Sequence, residues 1–140
     1  MVRIRQFHYP QDYAAALRLW ENSGTGVRVG PSDSPEELEQ KLERDPDLFL
    51  VAEAGDQLVG TVMGGFDGRR GMVYHLAVSQ PFRRRGIGSR LMAELEDRLR
   101  GKGCLRCYLL VQADNLDAVK YYEAVGWRSL DDHVLGKDLS

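Results

Sequence analysis

The chain is 140 residues long and 43% apolar, enough for one continuous hydrophobic core that needs neither disulfides nor metal to hold it together. Met1 to Phe7 alternates polar and apolar residues instead of joining a basic segment to a long apolar run, so no signal peptide or membrane span is expected, and a cytoplasmic protein with one domain over residues 1–140 is. The net charge of −2 conceals a basic middle: residues 69–106 carry 10 Lys/Arg against 3 Asp/Glu, residues 1–68 carry 6 against 12, and residues 107–140 carry 3 against 6, which fits a local anion site better than the basic face of a nucleic-acid binder.

Val2 to Phe7 alternates like a half-buried strand, and Tyr13, Ala16, Leu17 and Trp20 then recur at helical spacing until Gly24. Ser34-Pro35-Glu36-Glu37 combines an N-cap serine, a proline at the first helical position and a capping-box glutamate, predicting a second helix to about Arg44. Its apolar face is thin, Leu38 and Leu42, so it is expected at the surface, where it can border a substrate cleft. Leu48 to Ala54 and Leu58 to Phe66 read as strands joined at Gly55-Asp56, and after a second turn at Asp67-Gly68 the run Met72 to Val78 reads as a central strand ended by Pro81.

From Gly86 the period changes to helical: Ile87, Leu91, Leu95 and Leu99 fall four apart, Glu94 can pair with Arg98, and Gly101 and Gly103 stop the helix. Leu105 to Val111 is then a predicted strand, Asn115 to Val125 a helix ended by Gly126, and Trp127 to Leu139 a hairpin-like pair of short strands. The fold class is therefore α/β (α+β), a mixed sheet of six to seven strands with about four helices on both faces. Cys104 and Cys107 have the spacing of half a zinc site but no second Cys/His pair accompanies them, so no metal is expected. Strand alternation puts residues three apart on opposite faces, and the two cysteines are read as structural.

Arg83-Arg84-Arg85-Gly86-Ile87-Gly88-Ser89 joins a buried strand to a strong helix, where unpaired backbone N–H groups and the positive end of the helix dipole collect. Gly86 and Gly88 lack Cβ atoms, so a diphosphate can approach the main chain, and the three arginines can add charge-assisted bonds. The dinucleotide fingerprint would want a third glycine at Leu91 and the P-loop a Gly-Lys-Ser/Thr, and neither is present. The alternative reading is a glycine needed merely for a tight turn from strand to helix.

Arg83 to Gly88 matches the pattern Q/R-x-x-G-x-G/A, Leu76-Ala77-Val78 precedes it, and Asn115-x-x-Ala118-x-x-x-Tyr122-x-x-x-Gly126-Trp127 follows. In this order the motifs resemble the GCN5-related N-acetyltransferase (GNAT) superfamily over nearly the whole chain, and Gly60 to Gly68 looks like its small bacterial members of the YpeA type. The resemblance implies a single-domain, mostly antiparallel splayed sheet with acetyl-coenzyme A as the acetyl donor. The pantetheine arm would act as an extra strand between Leu76-Ala77-Val78 and Leu105 to Val111. Backbone groups of Leu76 and Val78 would bind the arm, those of Arg84, Arg85, Gly86, Ile87, Gly88 and Ser89 the diphosphate, and Asn115 the arm's far side.

Acetylation of an amine needs a neutral nitrogen, a donor for the developing oxyanion and a proton for the departing thiolate. Asn115 and Tyr122 lie almost two helical turns apart and share a face, whereas Tyr121 points about 100° aside; Tyr122 is therefore the candidate acid, with core packing the alternative reading of an aromatic at helical spacing. Some members of the superfamily carry a glutamate where this chain has Met72. His75 is the nearby side chain suited to accept a proton at neutral pH, and a hydrogen-bonded core histidine fits the same place. Alternation sets His75 opposite Tyr74 and Leu76, an assignment that a bulge would reverse, and deprotonation through water with Glu53 or Tyr74 stays open. The expected acceptor is an amine of a small molecule, peptide or protein, the expected assembly a monomer or homodimer, and the alternative function a noncatalytic acyl-coenzyme A module. The acidic stretch Glu36 to Asp47 suits an acceptor that is cationic before deprotonation.

Overall fold

A computed structural model describes residues 1–24 and 27–140. Five strands form one sheet in the order β1 (Val2–Gln6), β2 (Phe49–Ala54), β3 (Gln57–Phe66), β4 (Gly71–Val78) and β5 (Cys107–Leu109). The first four pair antiparallel and β5 joins β4 parallel, at Gly71↔Cys107, Met72↔Tyr108 and Val73↔Leu109. The helices are α1 (Tyr13–Glu21), α2 (Pro35–Arg44), α3 (Ile87–Gly101) and α4 (Leu116–Ala124).

The alternation of β2 sorts the core into two layers. Leu48, Leu50 and Ala52 face α3, packing with Leu91, Leu95 and Leu99, while Phe49 and Val51 face α1 and α2, packing with Trp20 and Leu38. α3 crosses β3 so closely that a Cβ on Gly64 would come within 2.6 Å of Leu95 Cδ1, which is why a side chain is missing there. α2 begins as its sequence indicates, Ser34 Oγ accepting from the Glu37 N–H at 3.3 Å, and Arg98 pairs with Glu94 at 2.9 Å.

Two expectations are corrected. The sheet has five strands among the described residues, not six to seven, because residues 127–139 make no ladder pairing. Leu130, Val134, Leu135 and Leu139 are exposed and fall at irregular spacing among Asp131, Asp132, Lys137 and Asp138, so no period-two face exists to bury. Cys104 and Cys107 do not face opposite ways. Cys104 lies ahead of β5, outside its alternation, and an added Cβ on Gly71 would stand 2.9 Å from Cys104 Sγ and 3.1 Å from Cys107 Cβ; both cysteines are free thiols packed into or against the α3 layer.

Candidate active site

β4 and β5 part company after three residue pairs. Beyond Val73 and Leu109 the two strands have no mutual partner, so the stretch Tyr74–Val78 leaves one edge of β4 without a neighbouring strand among the described residues. Arg28 Nη2, from the segment after α1, donates to Gln112 Oε1 at 3.1 Å beyond β5, a bridge between the two halves of the molecule.

At its end β4 runs through a short 3-10 turn, Gln80–Phe82, into the arginine-glycine loop. Arg84 and Gly86 both have positive φ, 64° and 78°, so the backbone twists sharply just before α3. No side chain caps α3 and its first turn holds no acidic residue. The N–H groups of Ile87, Gly88 and Ser89 lie beyond the reach of intrahelical acceptors, at the positive end of the dipole. Packing within the protein does not demand glycine at position 88: an added Cβ would meet Tyr121 Oη at 3.5 Å and Val78 Cγ2 at 3.7 Å, ordinary contacts. At Gly86 it would meet nothing within 4 Å, although the positive φ there disfavours a side chain. These residues fit a diphosphate resting on the main chain.

The three arginines divide. Arg83 Nε donates to the Val78 carbonyl at 2.9 Å and pins the loop to the strand end, Arg85 lies 5.2 Å over the Phe82 ring, and Arg84 is exposed at the left-handed position. Val78, expected to offer its backbone to the arm, thus already has its carbonyl engaged. Leu76 and Val78 turn their side chains to the α3 layer and Ala77 to the α1 layer.

His75 is where β4 departs from regularity. Thr61 pairs with Ala77 and Met63 with Tyr74, so His75 and Leu76 together oppose Val62, a bulge on β4. Without it, Val73 and His75 would share a face; with it, Val73, Leu76 and Val78 face α3 while His75 joins Tyr74 on the side of α1 and α2. The reversal that a bulge would bring has therefore occurred relative to Tyr74, and His75 remains opposite Leu76. His75 has φ 51°, a left-handed conformation costing about 1–3 kcal/mol in a residue with a Cβ. A relay holds it: Trp20 Nε1 donates to Thr61 Oγ1 at 2.9 Å, and Thr61 Oγ1 donates to the His75 carbonyl at 2.9 Å. The Trp20 and His75 ring centroids are 4.7 Å apart.

The imidazole Nε2 stands 2.7 Å from Asp33 Oδ1, a contact that sequence reasoning missed. Asp33 closes the 3-10 turn Pro31–Asp33 and is 4% exposed. Its one sequence signal is a lone carboxylate between Pro31 and Pro35, 42 residues from its partner. Of the alternative proton acceptors, Glu53 is bound by Arg3 and Arg5 at 2.9 and 3.0 Å, which holds its carboxyl below the usual range. Tyr74 is 42% exposed, its hydroxyl pushed up by burial of the remainder.

On α4, Asn115 Oδ1 caps the helix by accepting from the Ala118 N–H at 3.3 Å. The adjacent tyrosines diverge. Tyr121 Oη lies 3.0 Å from Ser89 Oγ, at the start of α3. Tyr122 packs edge-on against Trp127, with ring centroids 6.1 Å apart, in a cavity of about 650 Å³ between β5, α4 and α3. Burial pushes its phenol up to about 12, so it keeps its proton throughout the neutral range.

Comparison with known proteins identifies the family. The acetyltransferase (GNAT) family model matches residues 13–127. The chain is 43% identical to an acetyltransferase of Pectobacterium atrosepticum, over 99% of this chain and 96% of the relative, and 39% identical to an uncharacterized N-acetyltransferase of Yersinia pestis over the same shares. Among solved structures it resembles PaiA N-acetyltransferase from Thermoplasma acidophilum in complex with coenzyme A, with a TM-score of 0.82, 21% identity and coverage of 95% of this chain and 93% of that one. Ard1 from Thermoplasma volcanium matches with a TM-score of 0.77 and 26% identity, covering 89% and 81%. Enzymes of the family use acyl-coenzyme A and an amine acceptor. The chain belongs to the GNAT acetyltransferase family, and it is an N-acetyltransferase.

Proposed function

We propose that residues 1–140 form one acetyltransferase domain that takes its acetyl group from acetyl-coenzyme A and transfers it to a primary amine by direct attack on the thioester. The observation that carries the reading is the free edge of β4 at Tyr74–Val78, which runs from the bulged His75 to the uncapped start of α3. The donor, when bound, supplies a thioester activated toward nucleophiles.

The residues of the chain divide the remaining work. Main-chain N–H groups of Arg84, Arg85, Gly86, Ile87, Gly88 and Ser89 hold the diphosphate, with positive charge from the arginines around them. Backbone groups of Leu76, Ala77 and Val78 align the arm, and the Asn115 amide contacts it from α4. His75 removes a proton from the acceptor's ammonium. Tyr122, whose hydroxyl stays protonated, donates to the departing thiolate. Tyr121 is a second reading for that role, favoured by its hydroxyl's contact with Ser89. The acceptor enters beside α2, whose Glu36, Glu37, Glu39 and Glu43 suit an amine that arrives as a cation.

The test is release of free thiol from acetyl-coenzyme A across small amines, lysine side chains and peptide N-termini. Catalysis requires turnover with at least one of them; binding of the donor with no turnover on any would sink the reading. With a working acceptor, Tyr122→Phe is expected to lower kcat about 10- to 100-fold at little cost in donor affinity, since the hydroxyl acts as the thiolate leaves. Tyr121→Phe should cost less than threefold, and a reversal of that order would give the proton to Tyr121.

A further inference from the structure

We infer that Asp33 is the positioning residue of the base, and that it makes Nδ1 of His75, rather than Nε2, the atom that takes the acceptor's proton. The inference rests on the reading of His75 given above. Asp33 is held without the help of His75: its Oδ2 accepts the Gly30 N–H at 3.0 Å and its carbonyl accepts the Tyr13 hydroxyl at 3.0 Å. Its Oδ1 then faces Nε2 at 2.7 Å. An ionised carboxylate can only accept, so Nε2 of the neutral ring carries the hydrogen and Nδ1 carries the lone pair.

Two fixings act on one side chain. The Trp20–Thr61 relay holds the backbone of His75, and Asp33 holds the far nitrogen of its ring. The step balances: an N–H bond of the acceptor's ammonium breaks, its electron pair stays on the amine nitrogen for attack, and a bond from Nδ1 to the proton forms. The resulting imidazolium is stabilised by the carboxylate behind it, and the proton passes later to solvent. Asp33 itself touches no reacting atom, being 4% exposed with both oxygens engaged.

Few other groups can imitate this effect. α1 brings Tyr13, acting through the Asp33 carbonyl, and the uncharged Trp20; β3 brings the uncharged Thr61; β4 itself adds Tyr74 on the same face, where α2 brings Lys41, already paired with Asp45 at 2.7 Å. A change in the pH response on altering Asp33 therefore reports on His75.

The experiment is a cycle of Asp33→Asn, His75→Gln and the double variant, read as kcat, KM for acetyl-coenzyme A and the pH profile of kcat/KM. Asp33→Asn should lower kcat about 10- to 100-fold, move the acid limb to lower pH because the imidazolium loses its counter-charge, and leave KM within about twofold. Added to His75→Gln it should cost nothing further. An equal loss in both backgrounds, or a lowered melting temperature with rate and limb unchanged, overturns the inference. The two readings fail differently. If His75→Gln keeps the limb and the rate, the base assignment falls and this inference with it; if His75→Gln loses the limb while Asp33→Asn leaves it in place, only the role of Asp33 falls. Should Asp33→Asn not fold, nitrogen-15 shifts of the His75 ring in the unaltered protein decide: a protonated Nε2 supports the inference, and a protonated Nδ1 overturns it.

Discussion

Gly88→Ala should weaken coenzyme A binding about 10- to 100-fold, about 1.4–2.8 kcal/mol, while leaving the melting temperature unchanged or raising it. The two halves of this result have separate causes. Gly88 is the second residue of α3 and its added Cβ meets Tyr121 and Val78 at ordinary distances, so the folded protein accepts alanine. Exchanging glycine for alanine within a helix contributes about 0.5–1 kcal/mol of stability. The same methyl would project over N–H groups that the proposal assigns to the diphosphate. Gly86 makes a poorer probe, because its φ of 78° strains any side chain and mixes loss of fold with loss of ligand. Calorimetry on folded Gly88→Ala with coenzyme A reads the affinity directly, and an unchanged value would take the cradle away from this helix start.

His75→Gln is expected to lower kcat about 10²- to 10⁴-fold and to abolish the acid limb of the pH profile, with donor affinity preserved. Glutamine is the apt replacement because its amide can still donate to Asp33, so the buried carboxylate keeps a partner and the fold does not lose one. A variant that retains both limb and rate would assign deprotonation to water. One that is active but melts at lower temperature would make His75 a core residue whose strain serves packing alone.

How much of this was legible beforehand depended on whether a feature is local. The Ser34 cap, the hairpin at Gly55 and the four-residue spacing along α3 are written in consecutive residues, and each stands as read. The orientation of His75 was not legible, because alternation along β4 assumes one residue per partner and the bulge opposite Val62 breaks that count. Asp33 was missed for a related reason: it belongs to no periodic face, and only the meeting of the Pro31 turn with β4 gives it a role. The length of β5 was overestimated, since Leu105 to Val111 is uniformly strand-like while pairing ends where β4 swings away after Val73. The closing strand pair failed because residues 127–139 have apolar residues without a common face.

The short seam between β4 and β5 also grades the chain's resistance to opening. The part after Cys104 is held by three strand pairs, the Arg28–Gln112 and Tyr121–Ser89 contacts and partly buried side chains, and its helix buries no residue fully, whereas β1 to β4 share the two core layers. Amide hydrogens of β5 and α4 should therefore exchange with solvent through partial unfolding, long before those of β2 and β3 are released by global unfolding. A ligand that spans the parted strands would tie the weak part to the strong one, so occupancy by the donor sets how much of the molecule unfolds as a single unit.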